Sequence, residues 1–317
     1  MGTLQKIRLY FIRSISTPRF ITPSQNDPMN PILYITHPLN GLIMIALPIV
    51  IGIIISRKFK LGWRLWWIGA ATFVLSQIGH IPFNAVVGLL MQRGILPTPS
   101  PANELLFSAV FLGLSAGLWE EGMRYAVYRW WAKDARSWSK ALMMGDGHGG
   151  IEAILLGSIV LVNFVVLLSL RTTTFSGLLP ADQIAAISQQ SSAYWSVPWY
   201  DSMLGALERA FAIPVQICLS VIMLQCFVRK QTRWLFIAIA WHALVDAVSV
   251  YLIRTQGAYI TELGVGLMAV ISIVVIFALR QPEPVVENTP SPLPETQRPD
   301  LGAIEPTEEK LDNSRYQ

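Results

Sequence analysis

The chain has 317 residues, of which 53% are hydrophobic and 14% charged, and its mean hydropathy is +0.46. A water-soluble domain carries about a quarter charged residues, so composition excludes that class and favours a polytopic membrane bundle. The net charge of +4 is uneven: residues 281–317 hold eight acids and three bases, which leaves +9 on the rest of the chain.

Residues 1–31 read as a basic arm carrying Lys6, Arg8, Arg13 and Arg19, with no acid before Asp27. Met29 is an alternative start, and a basic leader bearing Ser and Thr also fits a transit peptide. Seven apolar runs follow, near 38–56, 65–91, 105–131, 148–170, 203–228, 234–253 and 260–279. A bilayer core needs about twenty residues of helix, and these runs are too long and continuous for strands. The expected fold is therefore all-α, a polytopic bundle of about seven transmembrane helices over residues 32–280. His37 precedes the first run and is expected at the interface. The second run is interrupted by Gly79-His80-Ile81-Pro82, where Gln77, His80 and Asn84 form a polar stripe beside a proline kink. The polar stretch 171–200, with Trp195 and Trp199 at interface height, reads as a lid. Cys218 and Cys226 share one apolar run, so they pack rather than staple loops. Residues 281–317 are acidic and rich in proline, and have too few large apolar residues to fold, so they read as a disordered tail.

Arg57, Lys58, Lys60 and Arg64 follow the first run; Arg129, Lys133, Arg136 and Lys140 the third; Arg229, Lys230 and Arg233 the fifth. The alternate connections are poor in bases. The positive-inside rule then predicts an outside N-terminus and a cytoplasmic C-terminus, with the basic arm as the element that disagrees. The remaining basic excess points to anionic headgroups, not nucleic acid.

Against this apolar background, ionisable side chains inside the runs are costly and need a reason. Glu120 and Glu121 precede Arg124 by one helical turn, so both carboxylates can approach one guanidinium. Adjacent residues point about 100° apart, so one is expected to face a reaction and the other to support it; a structural salt bridge accounts for the same residues. His148 and Glu152 are one turn apart in Gly147-His148-Gly149-Gly150-Ile151-Glu152, placed at the start of the fourth helix. His242 and Asp246 repeat that spacing in mid-helix, an arrangement used for proton transfer and for metal ligation alike. Glu208-Arg209 reads as a self-neutralising pair, and His80 as a supporting group or a packing one.

These runs together resemble the YhfC family of intramembrane peptidases, related to the CAAX-prenyl-protease and bacteriocin-processing superfamily and to the PrsW proteases. The resemblance rests on Gly117-Leu-Trp-Glu120-Glu121-Gly-Met-Arg124-Tyr125, on Gly147-His148-Gly-Gly-Ile-Glu152, on Leu207-Glu208-Arg209 and on His242-Ala-Leu-Val-Asp246, and covers roughly residues 32–280. It implies a membrane protease in which Glu120 is the base, Glu121 and Arg124 support it and His148 positions the attacking water. His242 and Asp246 would polarise the scissile carbonyl. Two residues separate the Glu pair from Arg124 where the CAAX proteases have three, so Glu120 and Glu121 both stay open as the base.

Such a set suits amide hydrolysis by a carboxylate-activated water with two imidazoles in support. It equally suits zinc, with His148, His242 and Glu152 as ligands and another Glu as base; both readings stand at this stage. The expected substrate is a membrane protein or lipidated peptide, met in the lipid bilayer of a bacterial cytoplasmic membrane. Two other classes remain: a non-catalytic scaffold related to the γ-secretase subunit of this superfamily, and an ion-coupled transporter. Against the transporter, the sequence has no inverted repeat or paired broken helices.

Overall fold

The computed structural model describes residues 30–172 and 181–282. Residues 1–29 of the basic arm, residues 173–180 of the lid stretch and nearly all of the acidic tail lie outside the described residues. Those described form helices α1 (Leu33–Phe59), α2 (Arg64–Gln92), α3 (Glu104–Ala126), α4 (Trp138–Thr172), α5 (Ala181–Trp195), α6 (Leu204–Val228), α7 (Arg233–Thr255) and α8 (Ala258–Ala278). A π turn, Val127–Trp131, ends α3, and the 3-10 turn Asp201–Met203 leads into α6. Every helix except α5 is long and apolar enough to cross a bilayer, which makes this an integral membrane protein. In hydrocarbon each backbone N–H must be satisfied within its own segment, which selects helix over any open strand. The same demand explains why Pro38, Pro48, Pro82 and Pro214 sit inside helices without ending them. The lipid-facing surface is apolar: Ile35, Val162 and Leu263 are 64%, 63% and 70% exposed.

Lipid tails are as apolar as leucine, so burial alone does not drive these helices together; close backbone approach at small residues does. On α3, a Cβ at Gly113 would stand 2.4 Å from Ala243 O, and one at Gly117 would stand 2.8 Å from Ile239 O, both on α7. On α4, a Cβ at Gly147 would reach 2.0 Å from Trp66 O of α2, and one at Gly145 would reach 2.5 Å from Ile217 Cα of α6. The bundle is therefore pinned as a close α3–α7 pair and an α2–α4–α6 layer, with α1 packed along α4 and α8 along α6.

Three features differ from the sequence reading. Helix α4 begins at Trp138, ten residues before the expected start, and the glycine-rich run is its interior. Glycine costs about 1 kcal/mol in an exposed helix, but here each missing side chain admits a neighbouring backbone. His148 and Glu152 consequently lie about 15 and 21 Å inside the helix, not at its end. Helix α2 runs unbroken through Gly79 and Pro82. His37 lies within α1, buried, with Nε2 3.2 Å from Tyr194 O and its ring stacked on Tyr194 at 3.9 Å. That contact ties the lid stretch to α1: its described part is α5, whose Trp195 is buried while Trp199 beyond it is half-exposed. Cys218 and Cys226 are free and buried.

Candidate active site

Helices α3, α4 and α7 each bring one part of the site to the same depth, about 15 Å along α4 and α7 from Trp138 and Arg233. The shared depth follows from the two glycine contacts, because Gly117 lies one turn before Glu121 and Gly147 adjoins His148. Glu121, His148, His242 and Glu120 are 0%, 1%, 4% and 6% exposed, so the centre is shielded from both water and lipid.

Glu120 sits between the two imidazoles. Its Oε2 lies 3.0 Å from His148 Nε2 and 3.8 Å from His242 Nε2, and its Oε1 accepts from Gln77 Nε2 of α2 at 3.0 Å. Glu121 points the other way, as the 100° step demands. Its Oε1 is 2.9 Å from His242 Nδ1 and 3.4 Å from Arg124 Nη1. The guanidinium is engaged by Glu121 at i+3, not by Glu120, and it donates to Gln216 Oε1 at 2.6 Å and Gln216 O at 3.3 Å on α6. His242 is thus held at Nδ1 by one carboxylate while its Nε2 faces the other. Asp246 Oδ2 lies 3.7 Å from that same Nε2, on the more open side of α7.

Glu152 and Glu208 belong to a second group. Arg209 donates to Glu152 Oε1 at 2.8 Å and, through both Nε and Nη2, to the Glu208 carboxylate. Glu152 is thereby committed to Arg209, and no bond joins it to His148 or His242. His80 stands apart as well: its Nε2 meets Ser115 Oγ at 3.1 Å and Asn84 Nδ2 at 2.9 Å, a tie between α2 and α3. Gln216 and Asp146 are among the buried polar residues that escaped the sequence reading. Gln216 is the partner of Arg124, and a glutamine two residues after Pro214 in an apolar run was the available signal. Asp146, fully buried, accepts from Trp66 Nε1 at 2.9 Å. Extending the fourth helix through the glycines would have marked it as an acid in lipid.

A family profile described as YhfC intramembrane metalloprotease matches residues 43–275. The chain belongs to the YhfC intramembrane metalloprotease family. It is 30% identical over 247 residues to a protein of Bacillus subtilis (strain 168) described as "Uncharacterized membrane protein YhfC", covering 74% of this chain and 92% of that one. No solved structure matches. The YhfC name implies a metal, and the donors suit zinc in kind: two imidazoles converge on one carboxylate oxygen. The Glu121 bond to His242 Nδ1 is also the arrangement that orients a metal-binding imidazole. The donors touch one another in this arrangement, and among the described residues no three His, Cys, Asp or Glu side chains form a ready cage.

Proposed function

We propose that this protein is an intramembrane peptidase in which Glu120 is the general base. The observation that carries the reading is the position of Glu120 Oε2 between His148 Nε2 and His242 Nε2, with Glu121 committed to Arg124. A water held by His148 gives its proton to Glu120 as its oxygen attacks the scissile carbonyl carbon. His242, also protonated at Nε2, donates to the carbonyl oxygen as negative charge develops there. Glu120 then passes the proton to the leaving amine. Glu121 and Arg124 hold the His242 ring in register, and Asp246 supports it from the open side. Where zinc is bound, His148 and His242 would hold it, Glu152 being engaged by Arg209, and it would supply Lewis-acid polarisation of water and carbonyl while Glu120 stays the base. The basic connections after α1, α3 and α6 support a C-terminus on the cytoplasmic side, and the relative from Bacillus subtilis supports a bacterial cytoplasmic membrane location.

The test is a comparison of new protein N-termini in membranes carrying the wild type or Glu120→Gln. Membrane-protein termini present with the wild type and absent with the variant are the expected result. Identical sets with equal amounts of folded protein would remove the peptidase reading and favour a non-catalytic scaffold.

A further inference from the structure

A cleft of about 340 Å³ opens beside the site, walled by Phe73, Val74, Gln77 and Ile81 of α2 and by Glu152 and Leu155 of α4. It faces the bilayer: Val74, Ile81 and Leu155 are 46%, 56% and 45% exposed. Its walls are apolar apart from Gln77 and Glu152. The Gln77 Nε2 bond to Glu120 Oε1, 3.0 Å long, puts the inner end of the cleft one side chain from the proposed base.

Resting on the peptidase reading above, we propose that this cleft is a lateral port. Through it a locally extended stretch of a membrane-spanning polypeptide reaches Glu120, its backbone held by Gln77 on one wall and Glu152 on the other. The two polar walls choose the occupant. An acyl chain offers neither donor nor acceptor, and would set hydrocarbon against the polar ends of Gln77 and Glu152 at a cost. An intact helix has already satisfied its own backbone groups and is about 10 Å across. An unwound backbone is different: each unpaired N–H in lipid costs several kcal/mol, so it needs the acceptors the cleft presents. Gln77 has its amide nitrogen on Glu120, which leaves Oε1 to accept. Glu152 has Oε1 on Arg209, which leaves Oε2.

One wall is also the least anchored part of the bundle. Every fully buried residue of α2 lies between Leu65 and Ser76, and from Gln77 to Gln92 there is none. Pro82 lacks the N–H that would bond one turn back, so the outer half of α2 is weakened where it forms the cleft wall. His80, through Ser115, ties that half to α3. Displacing that half outward breaks its Gln77 and His80 bonds and the contacts of Gly79 and Phe83 with Trp119, but uncovers no buried residue of α2, while the inner half stays fixed on α4 at Gly147.

Photocrosslinking in phosphatidylcholine vesicles tests this with the full chain. A photoreactive residue is placed at Val74 or Leu155, and at Leu263 of α8 as a position away from the cleft. The probes are two Leu/Ala transmembrane peptides of about 24 residues, one with a central Gly-Gly pair and one without. Capture of the Gly-Gly peptide from Val74 and Leu155, about fivefold above the uninterrupted peptide, is expected from one net hydrogen bond. Gln77→Leu should lower that capture by a similar factor, and Glu120→Gln should retain it. Equal capture of both peptides, or label transferred only to lipid, overturns the port. A peptide captured but left uncleaved by the wild type overturns the peptidase reading and leaves the port. Cleavage of the peptide without capture at Val74 or Leu155 does the reverse.

Discussion

Neutralising the two adjacent glutamates should have opposite consequences. Glu121 is wholly buried against Arg124, itself 2% exposed, so Glu121→Gln strips a buried cation of the carboxylate paired with it. Breaking a buried ion pair costs about 3–5 kcal/mol, and the remaining amide oxygen and Gln216 keep this case near about 3. Glu120 faces His148, His242 and Gln77, none of which carries a permanent charge. Glu120→Gln forfeits one charge-assisted bond, about 1.5 kcal/mol. The difference, about 1.5 kcal/mol, is worth about 3–6 °C in a domain of this size. Thermal unfolding in detergent micelles, followed by tryptophan fluorescence, measures it beside the count of new N-termini. Expected are a stable and inactive Glu120→Gln and a destabilised Glu121→Gln that recovers in part when Arg124→Gln removes the orphaned charge. A Glu120→Gln variant as unstable as Glu121→Gln, or one that still cleaves, would refute the division of roles.

Gly147→Ala forces a methyl group to 2.0 Å from Trp66 O and should cost about 2 kcal/mol or more, whereas Gly122→Ala meets nothing within 4 Å and should gain up to about 1; unfolding midpoints of the two variants check the contrast. If the metal of the family name is zinc, elemental analysis of the purified protein should find about one atom, lost in His148→Ala and His242→Ala and kept in Glu208→Gln, which lies in the Arg209 group. On the connection after α3, the Arg64 guanidinium holds Asp134 below its ordinary carboxylate value of 3.8. A depressed folded-state value gives stability that is present above 3.8 and lost as pH falls through the lower value. Both groups are more than half exposed, so Arg64→Ala should cost under about 1 kcal/mol at neutral pH, and the gap to wild type in unfolding midpoint should close in acid.

The membrane bundle was legible because its signal is thermodynamic: a charge in hydrocarbon is so costly that apolar runs and their exceptions both stand out. Glu120, Glu121, Arg124, His148 and His242 were visible as such exceptions, and all five meet in the structure. What stayed hidden was pairing. One-turn spacing allows Arg124 to reach either glutamate, and only the position of α6, with Gln216, selects Glu121. Glu152 shares a helix with His148 one turn away, yet Arg209 on α6 draws it into a separate group. The glycine-rich run within α4 misled for a related reason. Gly145, Gly147, Gly149 and Gly150 weaken a helix in water, and their meaning as contact points depends on Trp66 and Ile217, which are distant in sequence.

The paired glutamates show why one carboxylate would not serve. His148 and His242 arrive from different helices, and a single side chain cannot orient one ring while presenting an oxygen to both. With two residues about 100° apart, Glu121 takes the structural bonds to His242 Nδ1 and Arg124, and Glu120 is left to face Nε2 of both rings. Arg124 offsets the cost of keeping the first charge buried, and its own anchoring on Gln216 fixes α3 against α6. The arrangement therefore divides an expensive task. The fully enclosed pair holds geometry, and the other glutamate, in contact with Gln77 at the inner end of the lipid-facing cleft, presents Oε2 to both imidazoles, as the proposed base role requires.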